Sequence, residues 1–165
     1  MRSFKISALL VTAFFVLVGC NLQAEDKNLL AALFGEKKAK SARTSSPGKR
    51  VEIDLTKQQL KAYQGNRVVM RTNISSGKNG GTPTGNFRAG PYKSETHFSS
   101  RYHNAPMPWS VQISGHIFAH GSSHVPNYPA SHGCVRLPLT GRNAAKRFYK
   151  WCDVGTPIRI YYSGR

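Results

Sequence analysis

The alternation of apolar and polar residues in the second part of the chain predicts a series of short β-strands. Residues 51–55 alternate cleanly, as expected of a strand with one buried face. Two further runs, 59–63 and 67–74, are separated by a Gln-Gly-Asn turn at 64–66, which is a hairpin signal. Further short strands are predicted at 86–89, 109–113, 117–120 and 157–162.

One helix is predicted over residues 140–152, where Thr140 can cap the first turn and apolar residues recur at helical spacing. Residues 75–84 predict a loop because Gly, Asn, Thr and Pro are frequent there. Residues 93–108 are polar with scattered aromatic residues and predict an irregular segment. About seven strands with one helix in the C-terminal half predict a mostly-β domain, either a sandwich or a partly closed barrel.

The first 20 residues have the organisation of an export signal. Arg2 and Lys5 precede an apolar run at 6–18, which is shorter than the roughly 20 residues of an ordinary transmembrane helix. The run ends in the tetrapeptide LVGC, which resembles a bacterial lipobox and predicts lipidation of Cys20. The alternative is a plain secretory signal cut near Ala24. We therefore predict an exported protein of the cell envelope, anchored to a membrane by lipid and facing the periplasm or cell wall.

Composition and charge predict how the rest of the chain is divided and what it binds. Residues 36–49 are rich in small and basic residues and predict a flexible tether, so the expected organisation is a signal peptide at 1–20, a tether at 21–49 and a folded domain at 50–163. The net charge of the chain is +17, and a basic surface attracts polyanions. Because export argues against an intracellular nucleic-acid role, we expect anionic cell-wall polymers or lipid headgroups, and a monomeric protein.

The chain has three cysteines, and assigning Cys20 to the leader leaves Cys134 and Cys152. In an oxidising compartment a disulfide between them is the simplest expectation. The residues around Cys134 favour a free thiol instead. Cys152 lies in the apolar-periodic stretch of the predicted helix, which favours a small buried hydrophobic residue.

The segment at 115–137, GHIFAHGSSHVPNYPASHGCVRL, contains four histidines and one cysteine. A free thiol has a pKa of about 8.5, so a nucleophilic cysteine needs a nearby base such as His120. An oxyanion also needs backbone N–H donors in a tight turn. The turn Ser131-His132-Gly133-Cys134 predicts such a site, with the N–H groups of His132, Gly133 and Cys134 as an oxyanion hole.

These residues resemble the signature of the L,D-transpeptidases with a YkuD-type catalytic domain. In that family an HG dipeptide is followed, after a variable loop, by [S/T]HGC, a hydrophobic residue and Arg or Asn. The chain has HG at 120–121 and SHGCVR at 131–136, and TPTGNF at 82–87 resembles the family's TPTG-aromatic segment. The resemblance covers about residues 51–162 and implies the fold of that catalytic domain.

The resemblance also implies a reaction. Cys134 would attack the L,D peptide bond of a peptidoglycan tetrapeptide stem, release D-alanine and form a thioester. An amine from another stem or from a lipoprotein lysine would then resolve the thioester, whereas water would give L,D-carboxypeptidase activity. His120 would act as base and then acid, and the backbone carbonyl of Gly121 would orient it. Nothing in this chemistry requires a metal or a cofactor.

Four further residues are predicted to contact substrate. Arg136 would bind a substrate carboxylate or brace the loop. Ser131 lies in the catalytic turn, and Trp109 and Tyr128 would flank the groove, although core packing is the commoner role of a large aromatic residue.

Two functions of other classes fit parts of the same sequence. A zinc hydrolase would use ligands drawn from His116, His120, His124, His132 and Cys134. The glycines and β-branched residues around these histidines argue against a helical i,i+4 pair. A non-catalytic lipoprotein that only binds peptidoglycan would not need the HG and SHGC motifs together.

Overall fold

The computed structural model describes residues 48–164, so the predicted signal peptide, the lipidation of Cys20 and nearly all of the tether lie outside the described residues. The strands are β1 (Lys49–Asp54), β2 (Gln59–Gln64), β3 (Arg67–Asn73), β4 (Gly85–Arg88), β5 (Lys93–Ser99), β6 (Ala105–Ser114), β7 (Ile117–Ser122), β8 (Val135–Pro138) and β9 (Pro157–Tyr161). A single 3-10 turn lies at Lys78–Gly80, and helix α1 is Ala144–Trp151.

The strands form two sheets. The first sheet has the order β3-β2-β1-β9-β4, and the second has the order β5-β6-β7-β8. β1 runs parallel to β9 and β7 runs parallel to β8, while the other pairs are antiparallel. Because β7 is an inner strand and pairs with β8, residues of these two strands are held in a fixed register.

One buried apolar cluster joins both sheets and the helix. The first sheet contributes residues such as Ile53 and Leu60, the second contributes Val111 and Leu137, and α1 contributes Phe148. Each of these five side chains has a relative exposure of 0%. Alternate residues of a strand face opposite sides, so each of these strands buries one side in this core. Polar side chains of the second sheet can therefore lie on its opposite side.

Over residues 48–164 the mostly-β fold with one helix is confirmed, and the two sheets do not close into a barrel. Within residues 48–164, no helix is long and apolar enough to cross a membrane.

The prediction of an irregular segment at 93–108 is wrong. β5 occupies the first part of it and pairs antiparallel with the start of β6, with His97 opposite Met107. The alternation is hidden because β5 is an edge strand with few buried residues and because Pro106 and Pro108 interrupt the strand signal of β6. β8 was also missed, since it has only four residues and follows the catalytic motif directly.

The predicted helix start is also wrong. Helix α1 begins at Ala144, and its cap is Asn143, whose side chain accepts a hydrogen bond from the Lys146 N–H at 2.9 Å. Thr140 instead begins a turn, in which its carbonyl accepts a hydrogen bond from the Asn143 N–H. Gly141 has a φ of 61° within this turn, so the chain cannot be helical there.

Candidate active site

Strands β7 and β8 place three polar side chains on one face of the second sheet. Their parallel register sets His120 directly opposite Arg136. Cys134 immediately precedes β8, two residues before Arg136, and alternate residues of an extended chain share a face. The HG and SHGC motifs, which are 14 positions apart in sequence, therefore meet on neighbouring strands.

These side chains line one cleft with a volume of about 650 Å³. Five histidines and two arginines line it, but no Asp or Glu of the described residues does. The lining includes these residues with titratable or hydroxyl side chains: His97, Arg101, Tyr102, His116, His120, His124, Ser131, His132, Cys134 and Arg136. The cleft therefore favours anionic groups and has no carboxylate to act as a base.

His120 is almost completely buried, with a relative exposure of 7%. Its Nδ1 lies 2.9 Å from the backbone oxygen of Gly121. A carbonyl oxygen can only accept, so Nδ1 carries the proton and Nε2 keeps an unprotonated lone pair. The pKa of His120 is lowered from its usual 6.5 to about 4, mainly by burial and also by the positive charge of Arg136, while the hydrogen bond to Gly121 acts in the opposite direction. The imidazole is therefore neutral at neutral pH.

Cys134 is a partly buried free thiol, and its Sγ lies 3.5 Å from the backbone oxygen of His116. Burial raises the pKa of Cys134, while the Phe118 N–H and the Arg136 charge act in the opposite direction. Together with the lowered pKa of His120, this favours a neutral thiol and a neutral imidazole over an ion pair in the free protein.

The turn before Cys134 differs from the predicted oxyanion hole at one position. The Gly133 N–H donates to the Ser131 hydroxyl oxygen at 3.0 Å, so it is already occupied. The N–H groups of His132 and Cys134 take part in none of the hydrogen bonds found among residues 48–164. The Ser131 hydroxyl donates its single proton to the Cys134 carbonyl, and Ser131 lines the cleft, so its predicted contact with substrate stays a prediction.

Gly133 is required by both backbone conformation and space. Its φ is 143°, which side chains rarely tolerate, and a Cβ there would come within 2.8 Å of Ile117 Cδ1. The sequence motif SHGC thus has a glycine at the position where the turn needs it.

The loop that contains Ser76 and Thr82 forms hydrogen bonds with the Ser131–Cys134 turn. The Thr82 hydroxyl donates to the Gly133 carbonyl at 2.7 Å and accepts the Gly77 N–H at 2.7 Å. The Ser76 carbonyl accepts the Ser131 N–H at 2.9 Å, and the buried Gln58 side chain accepts the Ser76 N–H at 2.8 Å. The TPTG segment therefore contributes a buried hydroxyl that fixes the catalytic turn.

We expect Thr82→Val to destabilise the protein by about 2 kcal/mol, because an isosteric side chain leaves the buried Gly77 N–H and Gly133 carbonyl without this partner. Chemical denaturation of the variant measures this change. Thr84→Val, at an exposed position of the same loop, is the matched control and should change stability by less than about 0.5 kcal/mol. Equal stability of the two variants would show that the Thr82 bridge contributes nothing.

The predicted groove contacts of Trp109 and Tyr128 need correction, since neither residue lines the cleft. The Trp109 ring packs edge-on against Tyr149 of α1 at 5.6 Å and lies under the Lys146 ammonium. Tyr128 is 58% exposed, and its backbone carbonyl accepts the Ser75 hydroxyl proton. Trp109 is therefore a packing residue, and Tyr128 lies on the surface.

The backbone of Arg136 bonds in both directions to Ser75, with distances of 2.9 and 3.1 Å. Its guanidinium takes part in none of the hydrogen bonds or ion pairs found within residues 48–164. Arg136 thus braces the loop through its backbone and leaves its charge available in the cleft.

The remaining histidines of the motif segment also line the cleft. The His132 ring stacks on Tyr102 with 4.5 Å between ring centroids and 17° between ring planes. Tyr102 belongs to the β5–β6 connection, which the sequence pattern did not place near the site. His116 contributes its backbone carbonyl near Cys134, and His124 lines the cleft while remaining exposed.

Two alternatives from the sequence find no support in the geometry. Among residues 48–164, no group of three or more His, Cys, Asp or Glu side chains could hold a metal ion. Cys134 and Cys152 are both free, and burial raises the pKa of Cys152 to about 12. Cys152 is fully buried in the core, as its apolar surroundings predicted.

Sequence reasoning missed three residues that shape the site. Gln58 and Ser76 act through backbone contacts, for which a single sequence has no signal. His97 lines the cleft from β5, within the segment that was predicted as irregular.

Comparison with known proteins agrees with this geometry. The family model of the YkuD L,D-transpeptidase catalytic domain matches residues 48–160. The chain is similar to the solved structure of an L,D-transpeptidase from Xylanimonas cellulosilytica, with 37% identity and a TM-score of 0.61 over 71% of this chain and 62% of that one. No curated protein sequence matches this chain.

Two further L,D-transpeptidase structures show the same fold at lower identity. The one from Stackebrandtia nassauensis has 24% identity and a TM-score of 0.63, over 73% of this chain and 60% of that one. The one from Enterococcus faecium has 24% identity and a TM-score of 0.58, over 69% of this chain and 50% of that one. This chain spans less than two thirds of the length of each of these structures.

Proposed function

The chain belongs to the family of YkuD-type L,D-transpeptidase catalytic domains, and from this premise we propose that it transfers peptidoglycan stem peptides through a thioester at Cys134. The observation that carries the proposal is that Cys134 and His120 line one cleft while the Gly121 carbonyl holds the His120 tautomer whose Nε2 can accept a proton.

The first half-reaction begins from neutral groups. His120 Nε2 takes the Cys134 proton as the sulfur attacks the carbonyl carbon of the L,D bond. The resulting oxyanion accepts hydrogen bonds from the N–H groups of His132 and Cys134, which the turn leaves open. The His120 imidazolium then gives its proton to the leaving D-alanine nitrogen, and a thioester and a neutral imidazole remain.

The positive charge of Arg136 is expected to assist the reaction electrostatically. Its guanidinium shares the cleft with Cys134 and has no acidic partner within the described residues. A positive charge there favours the thiolate and attracts the terminal carboxylate of a tetrapeptide stem. We therefore assign Arg136 to recognition of the substrate carboxylate.

The second half-reaction decides between transfer and hydrolysis. An acceptor amine that attacks the thioester gives a crosslink or attaches a protein to the wall, whereas water releases the stem as a carboxypeptidase product. We favour transfer because the site belongs to a transpeptidase family. The test is product analysis after incubation with a disaccharide-tetrapeptide, with and without added amine, and hydrolysis alone under both conditions would contradict transfer.

From the lowered pKa of His120 we predict how the activity depends on pH. Because the neutral base is the active form, activity is present above the folded-state pKa of about 4 and is lost as pH falls through it. Single-turnover acylation, followed by intact mass, should therefore be nearly constant from about pH 5.5 to 7.5 and half-maximal near pH 4. Circular dichroism checks folding at each pH, and a midpoint near 6.5 would contradict a buried neutral base.

We further propose that the protein acts at the cell envelope as a monomer. The support is the export signal at 1–20, the lipobox-like Cys20 and the tether up to residue 49. The excess of basic residues would draw the domain toward anionic cell-wall polymers or lipid headgroups. Metabolic labelling with a radioactive fatty acid, with Cys20→Ser as control, tests the anchor, and unlabelled protein would favour simple cleavage.

A further inference from the structure

The proposed transfer reaction requires the removal of two protons from the acceptor. A primary amine has a pKa near 10 and arrives as an ammonium, which must lose one proton before it can attack. A second proton leaves the nitrogen as the amide forms. Neutral His120 accounts for one of these protons, and no Asp or Glu of the described residues lines the cleft to take the other.

His97 is placed to accept that other proton. It lies on β5 and lines the same cleft as Cys134. Its ring packs against Phe118, with 4.9 Å between ring centroids, and hydrogen bonding from the Phe118 backbone lowers the pKa of Cys134. A single residue of β7 thus links the His97 ring to the reacting sulfur.

Tyr92 fixes how the His97 ring is presented to the cleft. The Tyr92 hydroxyl lies 3.1 Å from His97 Nδ1. Tyr92 is 43% exposed and does not line the cleft, so this contact joins His97 Nδ1 to a residue outside the cleft lining. In the tautomer that this role needs, Nδ1 donates to the Tyr92 hydroxyl oxygen, the hydroxyl proton goes to water, and Nε2 carries the lone pair.

We propose that His97 is a second base, which takes the first proton of the acceptor ammonium in the transfer step, and that Tyr92 is its positioning residue. This inference rests on the proposed function. In that step the ammonium gives one proton to His97 Nε2 and becomes a neutral amine. The amine then attacks the thioester carbonyl and gives its second proton to His120, the carbon–sulfur bond breaks, and an amide and a thiolate result.

The cycle closes without a further reactant. The His120 imidazolium returns its proton to the Cys134 thiolate, and the His97 imidazolium releases its proton to water. Water as the acceptor differs from an amine in one respect, because it is already neutral and needs only one base. His97 should therefore matter for transfer and not for hydrolysis.

The other histidines of the cleft are less suited to this role. Apart from His120, only His97 among the described cleft histidines has a ring nitrogen in a described hydrogen bond. The His132 ring is stacked on Tyr102. Burial also lowers the pKa of His97, which keeps its ring neutral at neutral pH.

The test uses the full chain and the variants His97→Gln and Tyr92→Phe. Acylation by a disaccharide-tetrapeptide without amine and hydrolysis of the acyl-enzyme should stay within about twofold of wild type. Transfer to glycinamide as the amine should fall about 10- to 100-fold for His97→Gln and several-fold for Tyr92→Phe. In His97→Ala, added imidazole should restore part of the transfer rate.

His103→Gln and Tyr128→Phe are matched controls, because both residues are exposed and neither lines the cleft. Transfer that falls in parallel with acylation, or a loss that imidazole does not restore, would show a structural role and overturn the inference. Unchanged transfer in both variants, or a wild-type enzyme that only hydrolyses, would also overturn it. Failure of the wild type to form any Cys134 adduct would instead overturn the proposed function itself.

Discussion

Replacing Cys134 with alanine is expected to abolish both transfer and hydrolysis, with a loss of about 10⁴-fold or more, because no thioester can form. The measurement is chromatographic analysis of products from a disaccharide-tetrapeptide. Because the sulfur is only partly buried and lies in a cleft, the variant should keep nearly the wild-type stability. Thermal unfolding of the variant checks this point.

Cys152→Ala is the matched control for this experiment. Its sulfur is fully buried in the core beside Phe148, so the variant should lose some stability and keep its activity. If Cys134→Ala retained full activity, the enzymatic interpretation would fail and a peptidoglycan-binding role would be favoured.

Replacing His120 with glutamine is expected to lower kcat/KM for stem-peptide turnover by about 10²- to 10⁴-fold. In the free protein the thiol is protonated, because burial raises the pKa of Cys134, so the attack depends on a base that removes the proton. Glutamine keeps a polar side chain at this buried position but cannot accept the proton. The rate of acylation measured by intact mass should show the full loss.

His124→Gln makes the same chemical change at an exposed cleft residue that has no role in the proposed mechanism. Its acylation rate should remain within a few-fold of wild type. Equal losses in the two variants would mean that the His120 effect arises from cleft structure and not from proton transfer.

The residues to which we assign the chemistry stand out in the sequence because they belong to two compact motifs. His120 and Cys134 stand in short segments whose composition departs from ordinary strands, and the parallel pairing of β7 with β8 brings those segments together. The structure adds the reason for glycine at position 133, where a Cβ would come too close to Ile117. The motif thus indicates both the reaction class and the elements that present it.

The protonation state of the pair was not predictable from the sequence. It depends on how deeply His120 and Cys134 are buried, and burial arises from residues that are distant in sequence, including those of the β5–β6 connection. The same reason explains the error at Trp109. An aromatic residue beside a predicted site can face the cleft or the helix, and only the packing of α1 decides this.

The hydrogen bonds that fix the Ser131–Cys134 turn were also not predictable from the sequence. Thr82 was recognised as part of a motif, but its hydrogen bond to Gly133 joins positions 51 residues apart. Gln58 and Ser76 carry no pattern of their own, because their role is to satisfy buried backbone groups.

The central claim is that the sulfur of Cys134 becomes covalently bonded to the stem peptide. The most direct test is mass spectrometry of the intact protein and of its proteolytic peptides after a short incubation with a disaccharide-tetrapeptide. We expect an adduct on the peptide containing Cys134 whose mass equals that of the substrate minus D-alanine, and none on Cys152. Turnover of the substrate with no such adduct under any trapping condition, or with an adduct on another residue, would contradict it.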